Sequence, residues 1–233
     1  MDLKKSVKIG IIGGLGPKTG FVFTEFLNNS FVTKKDFQPD LLLLNLPVPQ
    51  LVMNSIATGQ KSEEMKELLL EAVKRLNHAE VDFIVIPCNT VHIFIKELRK
   101  VSQKPILSIL EESTKELSKR NIRKVGLLAS TTTIQQNLHS QELSKMNIQT
   151  IFPEFEDQKT ISGTIVKIIN NQVNDLDKEN LRVIIKKLIS QGAENILLAC
   201  TDLQLVLTQE DSAVPLFDTF KILEASTLKL LLP

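Results

Sequence analysis

VDFIVIPCNT, residues 81–90, is the stretch that decides the fold. Its largely apolar run Val81–Ile86 is too short for a helix and reads as a buried strand. The run ends in Pro87, Cys88, Asn89 and Thr90. A second stretch, AENILLACTD (193–202), repeats the plan, with an apolar run followed by Cys200 and Thr201. In a parallel sheet, whatever follows the C-terminal end of a strand faces the ligand crevice. The chain therefore presents its two thiols, 112 positions apart, from equivalent strand ends.

Working outward, the rest alternates. Val7–Ile12 is a β-branched-rich strand that stops at Gly13-Gly14-Leu15-Gly16-Pro17, with Pro17 placed to open a helix over 19–32. Leu41–Leu46 is a second strand, closed by a loop with Pro47 and Pro49. Ser62, followed by Glu63 and Glu64, caps a helix whose Met65, Leu68, Leu69, Ala72, Val73 and Leu76 keep the i, i+3, i+4, i+7 spacing. A helix near 91–100 follows the Cys88 loop. The pattern then restarts: Ser108 and Glu111 form a capping box for a helix to about Lys119. Lys124–Ala129 is a strand ending in Ser130-Thr131-Thr132-Thr133. Helices at 134–146, 158–172 and 178–191 alternate with strands at 148–152 and 194–199, before a short strand at 215–217 and a last helix at 218–231.

Alternating strands and helices imply an α/β fold with parallel sheets. Lys8-Ile9-Gly10-Ile11-Ile12 echoes Lys124-Val125-Gly126-Leu127-Leu128 at an offset of 116, and the cysteine strands echo each other at 112. A repeat of about half the chain implies two similar lobes with a cleft between them.

Composition narrows the function classes. Of 233 residues 42% are apolar and the net charge is +1, so no basic excess points to nucleic acid and no charge run to a membrane surface. Trp and Tyr are absent, which leaves base stacking to Phe alone. No apolar stretch is long enough to span a bilayer. The lysines near the N-terminus precede an apolar run that breaks at Gly13-Gly14, a poor signal peptide. A reducing cytoplasm is expected, and there two cysteines favour free thiols. A metal site needs more ligands, and the three histidines on offer are His78, His92 and His139. No metal is expected. His92, four residues after Cys88, is read as a local hydrogen-bonding residue that orients the loop.

The glycine turn invites a nucleotide reading and fails it. A P-loop needs Gly directly before Lys18-Thr19, where Pro17 stands without an N–H. The dinucleotide fingerprint needs Gly where Thr19 stands, and its acid at the second strand's end is replaced by Asn45. A tight turn that approaches a small carboxylate closely fits better.

Two facing thiols suit a proton transfer. Inverting an amino acid's α-carbon needs a base on one face and an acid on the other. A thiol with a pKa near ~8.5 can play either part near neutrality, tuned by amide dipoles. Asn89, Thr90 and Thr201 adjoin the thiols, and Ser130 and Thr133 line the matching strand end of the second half.

At these residues the chain resembles the aspartate/glutamate racemase family, in its aspartate-racemase-like branch. The resemblance rests on IGIIGGLGP (9–17), PCNTVH (87–92), GLLASTTT (126–133), GAENILLACTDL (192–203) and PLFDT (215–219). It implies two Rossmann-like lobes related by a pseudo-twofold, with the active site in the interlobe cleft. The lobes are placed at 1–102 plus 208–233 and at 103–207. It further implies racemisation of aspartate or glutamate without a cofactor by Cys88 and Cys200, and a homodimer. Asn89, Thr90, Ser130, Thr133 and Thr201 become substrate-holding positions.

Three departures follow. Leu15 stands where the family turn often has Met. Near 49–51, relatives that take aspartate often read Pro-Asp-Arg, whereas this chain has Pro49-Gln50-Leu51. The guanidinium that would grip a side-chain carboxylate is missing. Gln50 and, on a later helix, Lys167 are the expected substitutes. The histidine common after the last Asp-Thr motif is also missing, with Leu223 near its place. Other readings on the same scaffold are a maleate isomerase-like reaction, a non-catalytic carboxylate sensor and a redox thiol pair.

Overall fold

The computed structural model describes residues 7–232. The outermost residues of the expected first lobe, 1–6 and 233, lie outside them. In the first half, strand β1 (Lys8–Gly13), helix α1 (Thr19–Val32), β2 (Asp40–Asn45), α2 (Gln50–Ala57), α3 (Glu63–His78), β3 (Phe83–Val85), α4 (Ile95–Val101) and β4 (Ile106–Leu107) follow in order. In the second come α5 (Ile109–Lys119), β5 (Lys124–Ala129), α6 (Thr131–Gln135), α7 (Leu138–Ser144), β6 (Gln149–Ile151), α8 (Phe155–Ile169), α9 (Asp175–Ser190), β7 (Asn195–Ala199), β8 (Leu216–Asp218) and α10 (Thr219–Leu231).

The strands form two four-stranded sheets, ordered β2-β1-β3-β4 and β6-β5-β7-β8, and every pairing is parallel. The echo seen in the sequence is therefore topological. Its two members β1 and β5 hold the second place in their sheets, and the cysteine-bearing strands β3 and β7 hold the third. Two short strands lie across the expected lobe boundaries. Ile106–Leu107 pairs with β3, and Leu216–Asp218 pairs with β7.

Helix starts follow the polar caps. Ser62 accepts from the Met65 amide at 3.1 Å. Ser108 accepts from the Glu111 amide at 3.4 Å, but the reciprocal half of that capping box is absent because the Glu111 carboxylate is held by Arg99 at 2.7 and 3.0 Å. A full capping box occurs instead at Asn174 and Asp177, which starts α9 three residues earlier than expected. The helix expected at 134–146 is two, because Asn137 adopts a left-handed conformation (φ 53°) between α6 and α7. Asn tolerates that region at little cost. Helix α2 was not foreseen; Pro49 caps it, and Val52, Met53, Ile56 and Ala57 bury one face.

On one face of the first sheet, Ile9 and Ile11 pack with Phe23, Leu27 and Phe31 of α1 and with Phe220 and Leu223 of α10. The rings of Phe23 and Phe220 meet edge-on at 5.6 Å, a contact that adds about 1 kcal/mol beyond its buried area. So α10 leaves the second sheet and packs against the first. Leu223, at the position of the expected histidine, is buried core. A larger cluster runs continuously through both halves and includes both cysteines.

Candidate active site

Each thiol sits in the same local frame. After β3 the chain passes through Ile86 and Pro87 to Cys88, then enters a 3-10 turn, Thr90–Phe94. After β7 it reaches Cys200 and enters a 3-10 turn at Leu203–Leu205. A tight helical turn leaves its first amides without intrahelical partners. Here the Val91 and Thr90 amides act on the Cys88 thiol and the Asp202 and Leu203 amides on the Cys200 thiol, each favouring the thiolate, and the Leu203 amide donates to the Cys200 carbonyl at 3.1 Å. In both cases the donors lie two and three residues after the cysteine. His92 fixes the first loop as expected, with Nδ1–H donating to the Cys88 carbonyl at 2.8 Å. Its Nε2 accepts from the Ile109 amide at 3.4 Å, so burial holds the ring neutral, with a pKa lowered to about 4.

Both cysteines are free and buried. Burial pushes Cys88 up to about 12; the Val91 amide opposes this, the Asp202 charge adds to it, and the Thr90 amide opposes it again. Burial likewise raises Cys200 well above the usual thiol range, with the Asp202 charge next and a further contribution from Cys88. Asp202, itself pushed up to about 7 by burial, therefore acts on both sulfurs.

The two thiols line one small cavity of about 20 Å³. Cys88, Asn89 and Thr90 face it from the end of β3, Ser130 from the end of β5, and Cys200, Thr201 and Asp202 from the end of β7. Leu15 closes it from the glycine turn. A wider groove of about 910 Å³ runs along α5 and α10 and contains neither thiol. Among the described residues no cluster of three His, Cys, Asp or Glu could hold a metal ion, and no helix is long and apolar enough to cross a membrane.

The profile of the Asp/Glu/hydantoin racemase family matches residues 12–226. The chain belongs to that family. The broad specificity amino-acid racemase RacX of Bacillus subtilis (strain 168) is 30% identical over 226 residues, 94% of this chain and 96% of its own. Among solved structures, the aspartate racemase of Picrophilus torridus aligns with a TM-score of 0.78 at 25% identity, covering 95% of this chain and 93% of that one. An aspartate racemase homologue from Pyrococcus horikoshii OT3 gives 0.77 at 27%, over 97% and 99% of the two chains.

Within this racemase-family fold the expected holding positions separate into groups. Thr90 and Ser130 bring their hydroxyls to 2.9 Å, and Ser130 and Thr133 also stand at 2.9 Å. This buried hydroxyl cluster joins the two strand ends. Asn89 spends both ends of its amide on protein: Oδ1 accepts from His139 Nε2–H at 2.8 Å, and Nδ2 donates to Thr219 at 2.9 Å. Thr201 is buried beside the second thiol, and its carbonyl accepts from Gln204 at 3.1 Å.

Two expected positions are not brought to the thiols. Gln50 is exposed, bonds Asn54 at 3.2 Å and faces a separate shallow pocket by the glycine turn. Lys167 projects from the outer side of α8, nearly half exposed, and pairs with Asp177 at 2.5 Å. Its neighbours Ile165 and Ile169 take the inward face instead.

Several site residues were not foreseen. Asp202 follows Thr201 directly, and a carboxylate three residues after the apolar run Ile196–Ala199 was a readable signal. A Cβ on Gly16 would stand 2.8 Å from Asp202 Oδ1, so the carboxylate that the glycine turn approaches is the protein's own. Gly14 has φ +78°, and a Cβ there would meet the Leu46 carbonyl at 2.3 Å. His139 and Thr219 carried no sequence signal, since their roles depend on tertiary contacts.

Proposed function

We propose that this chain is a cofactor-independent amino-acid racemase of the aspartate-racemase-like branch, with Cys88 and Cys200 as its two acid/base groups. The observation that carries the reading is the matched pair of sulfurs, each cradled by the second and third following amides and both lining one cavity. One thiolate takes the α-proton, breaking C–H and forming S–H. The opposite thiol gives its proton to the other face of the carbanion. The proton count is unchanged and the two sulfurs have exchanged states, so the reverse reaction uses the same groups. Near-attack contacts of ~3–3.5 Å on each side suit a single tetrahedral carbon between them.

Burial keeps both sulfurs as thiols at neutral pH. One must lose its proton before it can act, and the amides of Thr90 and Val91 at Cys88 and of Asp202 and Leu203 at Cys200 favour that thiolate. Asn89 and the Thr90–Ser130–Thr133 hydroxyls hold the loops that grip the amino acid's carboxylate. Acidic substrates, aspartate or glutamate, are what the resemblance implies, and no residue lining the cavity supplies a cation for them.

The same proposal takes the two sheets as lobes related by a pseudo-twofold with the cleft between their C-terminal strand ends. The matched strand orders support it. The lobe boundaries then fall between β4 and β5 and ahead of α10, rather than at 102/103 and 207/208. A homodimer working in the cytoplasm belongs to this reading as well. The test is incubation of L-amino acids with the protein in D2O, with proton NMR for α-proton exchange and chiral chromatography for inversion. Wild-type protein that exchanges no amino acid's α-proton would overturn it.

A further inference from the structure

We infer that the substrate side chain is apolar: the cavity, which at about 20 Å³ must widen to admit any amino acid, has a lining suited to an aliphatic or thioether side chain and not to that of aspartate or glutamate. This deepens the racemase reading and rests on it. The polar side of the cavity is the two thiol loops. The opposite wall is Met53, Ile56 and Ala57 of α2 and Ile165 and Ile169 of α8, all buried. With the α-carbon between the sulfurs and the carboxylate and ammonium taken by the loops, the side chain is left facing this wall.

No Lys or Arg lines the cavity. The two expected substitutes for the missing guanidinium, Gln50 and Lys167, are engaged elsewhere. On α2, Met53, Ile56 and Ala57 share one face at i, i+3, i+4 spacing, which puts Leu51 outside, 83% exposed; Gln50, one turn before Met53 on the same side, bonds Asn54 at 3.2 Å and lines the neighbouring pocket by the glycine turn. On α8, the i, i+4 pair Ile165 and Ile169 faces inward, and Lys167 is committed to Asp177. A side-chain carboxylate would therefore be buried without a counter-charge. It would also share the cavity with the carboxyl of Asp202, and like charges in one site oppose each other's ionisation. An aliphatic or thioether group meets neither cost. Met53, unbranched and adaptable, lets the wall reshape around side chains of different length.

The experiment compares L-methionine and L-leucine with L-aspartate and L-glutamate on the wild-type protein. Two readouts are taken: kcat/KM for α-proton exchange in D2O, and binding by isothermal titration calorimetry. The expected result is exchange of the apolar pair at least ~10-fold faster in kcat/KM than the acidic pair. The variant Ile169→Arg, at the rim of the cavity, should shift that ratio toward the acidic pair by roughly tenfold or more. Aspartate or glutamate exchanged as fast as methionine by wild type overturns the inference, whether or not the variant folds. Binding of methionine or leucine over aspartate without any exchange would remove the racemase reading and keep the apolar site. Binding of none of the four would remove both.

Discussion

Asn89 donates to Thr219 Oγ at 2.9 Å, and Thr219 in turn donates to the carbonyl of Leu198 at 2.9 Å, two residues before Cys200. The loop of one thiol is thereby tied to the strand of the other through the first residue of α10. His139 holds the far end of Asn89, and burial keeps that ring neutral, with a pKa lowered to about 3. This buried chain links the two cysteine-bearing segments.

Thr219→Val keeps the shape and removes both bonds. It leaves the Asn89 amide and one acceptor on Leu198 unpaired in the core, at a cost of ~1–3 kcal/mol in stability. We expect kcat to fall more than KM rises, because Thr219 positions the thiol loops and does not touch substrate. Thr219→Ser should restore both stability and kcat. Denaturant melts with steady-state kinetics check this. A Val variant with wild-type kcat, or a Ser variant as slow as Val, would show that the chain does not set the geometry.

Cys88→Ser and Cys200→Ser should each reduce racemisation by ~10²-fold or more, the usual worth of one acid/base group. Each variant still has one thiol facing one side of the α-carbon. Each should therefore retain slow α-proton exchange from one enantiomer only, and the two variants should retain opposite ones. Proton NMR in D2O on separate D and L substrates reads this directly. Either variant racemising at the wild-type rate in both directions would rule out two bases.

Much of the fold around the two cysteines was legible in the sequence. The cysteine strands, the glycine turn and the Ser62 and Ser108 caps are local signals, carried by residue type and spacing within a few positions. The paired order of β1 and β3 with β5 and β7 follows from the short echo at Lys8 and Lys124. What was not legible depends on long-range packing. Helix α2 follows two prolines and carries only a short apolar face, so its pattern read as loop. Lys167 was a free cation in the sequence, and its pairing with Asp177 arises because α9 folds back on α8. His139 gains meaning only when Asn89, fifty positions away, is brought to it at 2.8 Å.

Asp202 makes a pH-dependent claim with a definite sign. Burial raises its carboxyl to about 7 from an ordinary value of 3.8. Between those values the unfolded chain has released the proton and the folded chain still holds it, so this group lowers stability as pH rises from 4 to 7. Above 7 the penalty is constant. Asp202→Asn cannot ionise, so its stability relative to wild type should climb over that window, by up to ~4 kcal/mol at one pKa unit per 1.36 kcal/mol. At pH 4 the two proteins should melt alike. Denaturant midpoints at pH 4, 5, 6, 7 and 8 test it. A gain that is flat across the window would mean that Asp202 is ionised in the fold at every pH tested.

Leu51→Arg and Lys167→Ala separate the local sequence pattern from the folded geometry. A family-like pattern near 49–51 suggests that an Arg at 51 would restore a grip on a side-chain carboxylate. In the fold Leu51 points to solvent from α2, opposite Met53. An Arg there should leave kcat/KM for aspartate within about twofold of wild type, because an exposed charge is screened over a Debye length of ~10 Å. Lys167→Ala removes a half-exposed partner of the buried Asp177 carboxylate, which keeps the Asn174 amide. The expected cost is ~1 kcal/mol of stability, since one end of the pair is solvated, with kcat/KM unchanged for acidic and apolar amino acids alike. Kinetics on both variants and a thermal melt of the second decide the matter. A specific rise for aspartate in Leu51→Arg would mean that α2 turns its outer face inward when substrate binds. A specific loss for aspartate in Lys167→Ala would mean that the lysine leaves Asp177 to serve the site.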